Sequence, residues 1–192
     1  MQYQDLEDII LERLAKELSA DLYYHSVSHT RDVINMCTAG ADRVGLNDDD
    51  KLLLMSAAVL HDSGFLNSTK EHEMEGVHIA EKLLPKFGYS ADQINRISDM
   101  IMATKIPQSP QNELGRLICD ADLDYLGRED FYTIGNNLFL ELKARSILET
   151  EEQWDALQIK FLSSHRFYTE WSIRVREPVK QKYLEELKMK WK

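Results

Sequence analysis

Apolar residues recur at helical spacing along almost the whole chain. Leu6, Ile9, Ile10, Leu14 and Leu18 share one face of a first helix, and Val33, Ile34, Cys37, Ala41 and Val44 share one face of a second. Eight Gly and four Pro in 192 residues leave few breakers, so the expected class is all-α. The spacing predicts helices over 4–19, 28–44, 48–62, 71–87, 91–104, 112–126, 129–147, 151–171 and 174–190, a bundle of about eight to nine helices. Start signals agree with it. Asn47 precedes Asp48, Asp49 and Asp50, and Ser90 with Gln93 makes a capping-box pattern ahead of Ile94, Ile97 and Ile101. The third segment, Lys51 to Leu60, is apolar nearly all round, which marks a central helix enclosed by others and delivers His61 and Asp62 at its C-terminal end. No repeat, low-complexity run or composition shift marks a linker. One domain over residues 1–192 is therefore expected, with the chemistry in 20–130 and the helices of 131–192, which carry Trp154, Phe161, Phe167, Tyr168 and Trp171, packed on that core.

Charge narrows the partners. The 23 Lys and Arg stand against 33 Asp and Glu, a net −10 that would repel a nucleic acid polymer but leaves a small charged substrate open. The two cysteines, Cys37 and Cys119, lie in apolar stretches as reduced, buried thiols do. The N-terminal residues lack a basic and then apolar leader pattern, and the longest apolar stretch, Leu52 to Leu60, is too short to span a bilayer. The expectation is a cytoplasmic protein with no membrane partner. Self-association is left open.

The candidate chemistry is concentrated. Five of the six histidines, His25, His29, His61, His72 and His78, fall in the first half of the chain. His29 opens one predicted helix, His61-Asp62 closes the buried one, and an acidic cluster, Asp120-Ala121-Asp122-Leu123-Asp124, follows Leu117-Ile118. Converging imidazoles and carboxylates suit a divalent cation such as Mn, Fe, Co, Ni, Mg or Zn. Neighbours on a helix diverge by about 100°, so His61 and Asp62 both reach one ion only where a helix end points at it. Either Asp120 or Asp122 satisfies this pattern.

Taken together, Tyr24-His25-Ser26-Val27-Ser28-His29, Ala57-Ala58-Val59-Leu60-His61-Asp62 and Arg116-Leu117-Ile118-Cys119-Asp120-Ala121-Asp122 resemble the HD-domain superfamily of metal-dependent phosphohydrolases over residues 20–130. The resemblance implies a helical bundle with the metal site between central helices, one divalent metal ion, and His29, His61, Asp62 and Asp122 as its ligands, with Asp120 the alternative to Asp122. The opening segment is also similar to the Tyr-His-Asn-x-x-His stretch of cyclic nucleotide phosphodiesterases, with Ser26 in place of Asn. That likeness implies His25 as a general acid. HD oxygenases with two irons use two further histidines; His72 or His78 would supply one, but Thr104 stands where the other is expected, which favours one metal. The reaction implied is hydrolysis of a phosphate ester of a small molecule, a nucleotide or cyclic nucleotide. In it Asp62 orients water, His25 or His72 serves the leaving group, and Lys105, Lys70 or Arg116 neutralises the phosphoryl oxygens. The competing reading is a catalytically silent HD module that binds a nucleotide or metal for regulation.

Overall fold

Side-chain caps fix where the helices begin. Asn47 Oδ1 accepts from the Asp50 N–H at 2.9 Å, and complete capping boxes join Ser90 to Gln93 and Thr150 to Gln153. The computed structural model describes residues 2–191, and these form ten α-helices and no strand. In order they are α1 (Tyr3–Glu17), α2 (Val27–Val44), α3 (Asp48–Leu60), α4 (His72–Leu83), α5 (Ala91–Ala103), α6 (Glu113–Asp122), α7 (Phe131–Ala144), α8 (Glu151–Ser164), α9 (Glu170–Val175) and α10 (Glu177–Lys190). Short 3₁₀ turns cover Ser63–Leu66, Leu84–Phe87 and Asp124–Gly127. The fold is all-α, as expected.

Several boundaries differ from the periodicity, each for a local reason. The segment expected as one helix over 151–171 breaks at His165, whose backbone is extended, and restarts after Thr169 accepts from the Ser172 N–H. The last helix begins at Glu177 because Pro178 fits only its first turn. Pro85 likewise ends α4 in a 3₁₀ turn. Ile9 and Val44, counted on apolar stripes, are exposed, and Leu11 is buried instead.

By contact the chain divides into two compact units. The first comprises the chain up to Ser19 with His25–Asp122, and the second comprises Ala20–Tyr24 with the chain from Leu123 onward. In the first unit α3 is the axis. Its Leu53, Leu54, Ala57, Ala58, Val59 and Leu60 are all buried, with α1, α2, α5 and α6 packed on it. Both cysteines are free and buried. The second unit has its own core around Phe131, Leu162, Phe167 and Leu184. Its buried Asp124 is gripped by Arg176 through two bonds of 2.8 and 2.9 Å. No helix among the described residues is long and apolar enough to cross a membrane.

Two glycines let the chain fold tightly around the end of α3. A Cβ on Gly76 would lie 3.1 Å from the Leu60 carbonyl oxygen, and one on Gly64 would lie 1.8 Å from the His72 carbonyl oxygen and 2.8 Å from the Gly76 nitrogen. The obstacle at Gly64 is backbone, which cannot rotate away. Gly64→Ala is expected to lower stability by about 3 kcal/mol, the upper range for overpacking. Gly45→Ala, at φ 68° in open space, should cost only the left-handed backbone penalty of about 1 kcal/mol. Denaturant unfolding of the two variants beside the parent checks both values.

Candidate metal centre

Three helix ends meet in the first unit. Ser26 caps α2 by accepting from the His29 N–H at 3.5 Å, which places His29 in the first turn. α3 stops at Leu60, and His61 is its C-cap. Asp62 then leaves helical geometry at φ −102° and ψ 3°, so its side chain turns back toward that of His61 instead of diverging from it. Asp122 is the last residue of α6.

The side chains converge closely. The Nε2 atoms of His29 and His61 are 3.3 Å apart. Asp122 Oδ1 lies 3.1 Å from the first and 3.6 Å from the second, while Asp62 Oδ2 lies 3.4 and 3.2 Å from them. One ligand atom from each of His29, His61 and Asp122 falls within 4.8 Å of the others, the spacing of a metal-holding group; Asp62 stands outside that group and joins the cluster through its contacts with the two rings.

Donor chemistry supports a cation at this point. His61 Nδ1 is 2.8 Å from the Ala58 carbonyl oxygen. A carbonyl only accepts, so Nδ1 donates its N–H and a neutral ring turns the Nε2 lone pair into the cluster. Asp62 Oδ2 is buried without a hydrogen-bond partner. Two imidazole nitrogens and two carboxylate oxygens, one of them orphaned, fit a borderline divalent ion.

The electrostatics agree. Burial opposes charge on His61, yet the carboxylates of Asp62 and Asp122 outweigh it and hold the pKa well above the ordinary histidine value. Burial would raise both carboxyls, but His61 holds Asp62 well below the usual range, and His29 with His61 brings Asp122 down to about 2. Without a bound ion the cluster retains a proton to balance its charge.

The other candidate residues are dispersed around this point. His25 and His72 both stack on Phe65, at ring-centroid distances of 4.2 and 4.1 Å. His72 Nε2 is 3.5 Å from Asp62 Oδ1 and 3.4 Å from Glu73 Oε1. Burial lowers the His72 pKa, and the two carboxylates only partly offset this. Lys105 is engaged by Glu71, the residue before His72. Lys70 and Arg116 are exposed, with Arg116 six residues before Asp122 on α6. Asp120 is buried as Asp122 nearly is, but it points ~200° away around the helix and lies outside the group. His78 is on the exposed side of α4, 3.4 Å from Glu75, and the Thr104 hydroxyl donates to the Ile101 carbonyl.

Sequence reasoning missed Phe65 and Glu73. Glu73 reads as a solvated residue at a helix start, yet it shares the spacing of Gly76, Val77 and Ala80 and is buried with them. That stripe was the available signal.

The family model for the HD domain matches residues 26–124, more than half of the chain. The chain belongs to the HD-domain family. The matched segment contains His29, His61, Asp62 and Asp122, all four members of the cluster. The HD fold recurs in a crystal structure described as a predicted HD superfamily hydrolase from an uncultured Thermotogales bacterium. It has a TM-score of 0.62 and 21% identity over 98% of this chain and 92% of that one. At that identity the likeness speaks for the fold alone. No curated protein matches the chain.

The raised pKa of His61 carries a sign. In cation-free protein its protonated form contributes stability that is fully present below the ordinary value of 6.5 and is lost as pH rises through the raised value. A divalent ion held by His61 Nε2 would displace that proton, so the bound form would not suffer this loss. The thermal stabilisation produced by Mn(II) should therefore widen as pH rises through this window, and His61→Ala should abolish the trend. Melting curves with and without Mn(II) at a series of pH values measure it.

Proposed function

We propose that this HD domain is a divalent-metal-dependent phosphohydrolase that cleaves a phosphate ester of a small molecule, a nucleotide or cyclic nucleotide. The observation that carries the reading is the buried cluster of His29, His61, Asp62 and Asp122, in which Asp62 Oδ2 has no partner of its own. The hydrolase description of the similar Thermotogales protein is in keeping with it.

His29, His61, Asp62 and Asp122 would hold the ion. When bound, it supplies Lewis acidity to a phosphoryl oxygen and lowers the pKa of water. The residues of the chain do the rest. Asp62 has its second oxygen toward His72, so it orients the attacking water on one side while remaining part of the cluster. His25 and His72, stacked on Phe65 beside the cluster, are the groups that move protons to and from the ester oxygens. Glu73 holds the ring of His72 in place. Lys105, tied to Glu71, presents a cation for the phosphate, with Lys70 a further exposed cation in the loop that carries Glu71.

A screen of phosphate monoesters, nucleotides and cyclic nucleotides with Mn, Co, Ni, Mg, Fe and Zn tests the proposal, with elemental analysis giving the ion content. One divalent ion per chain and metal-dependent release of phosphate or nucleoside phosphate are expected. His61→Ala and Asp62→Ala should lower turnover by more than ~100-fold, the upper range for loss of a residue that merely supports a ligand. Loss of a proton-transfer group in His25→Ala or His72→Ala should cost roughly 10²–10⁴ in kcat while leaving the ion bound. Tight nucleotide binding with no turnover in any metal would instead identify a silent regulatory module.

A further inference from the structure

In the second unit α7, α8 and α10 enclose a cavity of about 250 Å³. Glu151, Asp155 and Gln158 follow one another at spacings of four and three, so a single face of α8 carries all three to the cavity. Trp154 and Phe139 form an apolar wall, their rings 6.0 Å apart and inclined by only 24°.

Two polar residues there are deeply buried. Asp155 is 3% exposed and accepts from Lys190 Nζ at 2.7 Å and from the Trp191 indole N–H at 2.8 Å. The same Lys190 ammonium donates to Glu151 at 2.6 Å. Gln158 is 8% exposed and lines the cavity, yet its amide has no hydrogen-bond partner among the described residues. The amide is open to the cavity, where a ligand or water can complete it.

We propose that this cavity binds a small organic cation, a primary ammonium on an apolar body. Its ammonium replaces that of Lys190 between Glu151 and Asp155, its body lies against Trp154 and Phe139, and Gln158 gains a polar partner. Lys190 already demonstrates that the carboxylate pair accepts an ammonium in this geometry. Its side chain is 43% exposed, so it can release the pair into solvent without crossing packed core. The lining holds Glu151, Asp155 and Glu186 against one cation, which repels phosphates and other anions. Near-parallel aromatic rings favour an organic cation over a hydrated metal ion. A volume below the ~300–1,000 Å³ of drug-sized pockets limits the ligand to a small amine.

Benzylamine is a suitable probe, with benzyl alcohol as its neutral counterpart, in calorimetric titration and amide NMR of the full chain. Benzylamine should bind and shift resonances of α7, α8 and α10, whereas benzyl alcohol should not. Lys190→Met should tighten amine binding by about tenfold, because it removes a tethered competitor. Glu151→Gln should weaken it by about tenfold through loss of a charge-assisted bond. Glu151 is 67% exposed, so this variant keeps the fold where a change at Asp155 risks it. Three outcomes would each overturn the proposal: no binding to either wild type or Lys190→Met, equal binding of amine and alcohol, or unchanged amine affinity in Glu151→Gln.

Discussion

Two imidazole nitrogens 3.3 Å apart and walled in by two carboxylates cannot share a buried space unless a positive charge lies among them. A proton on His61 Nε2 answers the need only partially, since it sets one positive charge against two carboxylates. A divalent ion would answer it more fully, because the side chains that face the cluster could donate to it together. Helix direction adds to this preference. α3 and α6 both end at the cluster, so their partial negative charges add to the carboxylates, and only α2 begins there. The backbone and side chains therefore select the same sign of charge.

That convergence depends on how the chain leaves α3. Buried on every side from Ser56 to Leu60, α3 cannot shift to adjust its end, so the geometry after Leu60 is imposed by what packs against it. Gly76 lets α4 approach the Leu60 carbonyl, and Gly64 lets the 3₁₀ turn pass under the His72 backbone. The same close passage carries Phe65 between the cluster and the start of α4, where its ring meets both His25 and His72. A loop with no recognisable sequence code is held by this backbone proximity together with side-chain bonds, Ser63 to the Leu60 carbonyl at 2.8 Å and Asn67 to Glu75 at 3.1 Å.

Much of this was legible in the residues. The caps at Asn47 and Ser90 and the nearly all-round apolar run Lys51 to Leu60 marked helix starts and the central element, because both are local effects. Ser26 stands where the phosphodiesterase stretch has Asn, and the structure supplies a physical equivalence. Both are strong N-cap residues, and Ser26 performs that task for α2. What remained hidden was orientation. Asp120 and Asp122 both fit the motif on residue type, and Asp120 is itself buried, so only rotation about α6 separates them. Glu73 was hidden by its charged neighbours, because composition near a helix start does not reveal which face is covered. The break at His165 was hidden too, since apolar spacing continues across it while the backbone does not.

The chain's net charge of −10 acquires a local meaning from these two groups of carboxylates. In the HD cluster, Asp62 and Asp122 contribute two negative charges, of which the proton retained on His61 offsets only one, so the cation-free pocket still opposes a phosphate. A divalent ion brings the sum to zero, which removes the repulsion without creating a field that would attract anions indiscriminately. Affinity for the proposed phosphate ester must then come from direct contact with the ion and from cations such as Lys105, not from long-range steering. The proposed reading therefore expects the ion to bind first and the ester second. In the second unit the compensating charge is the ammonium of Lys190, a tethered group that can be displaced, so the same excess of carboxylates selects an organic cation there.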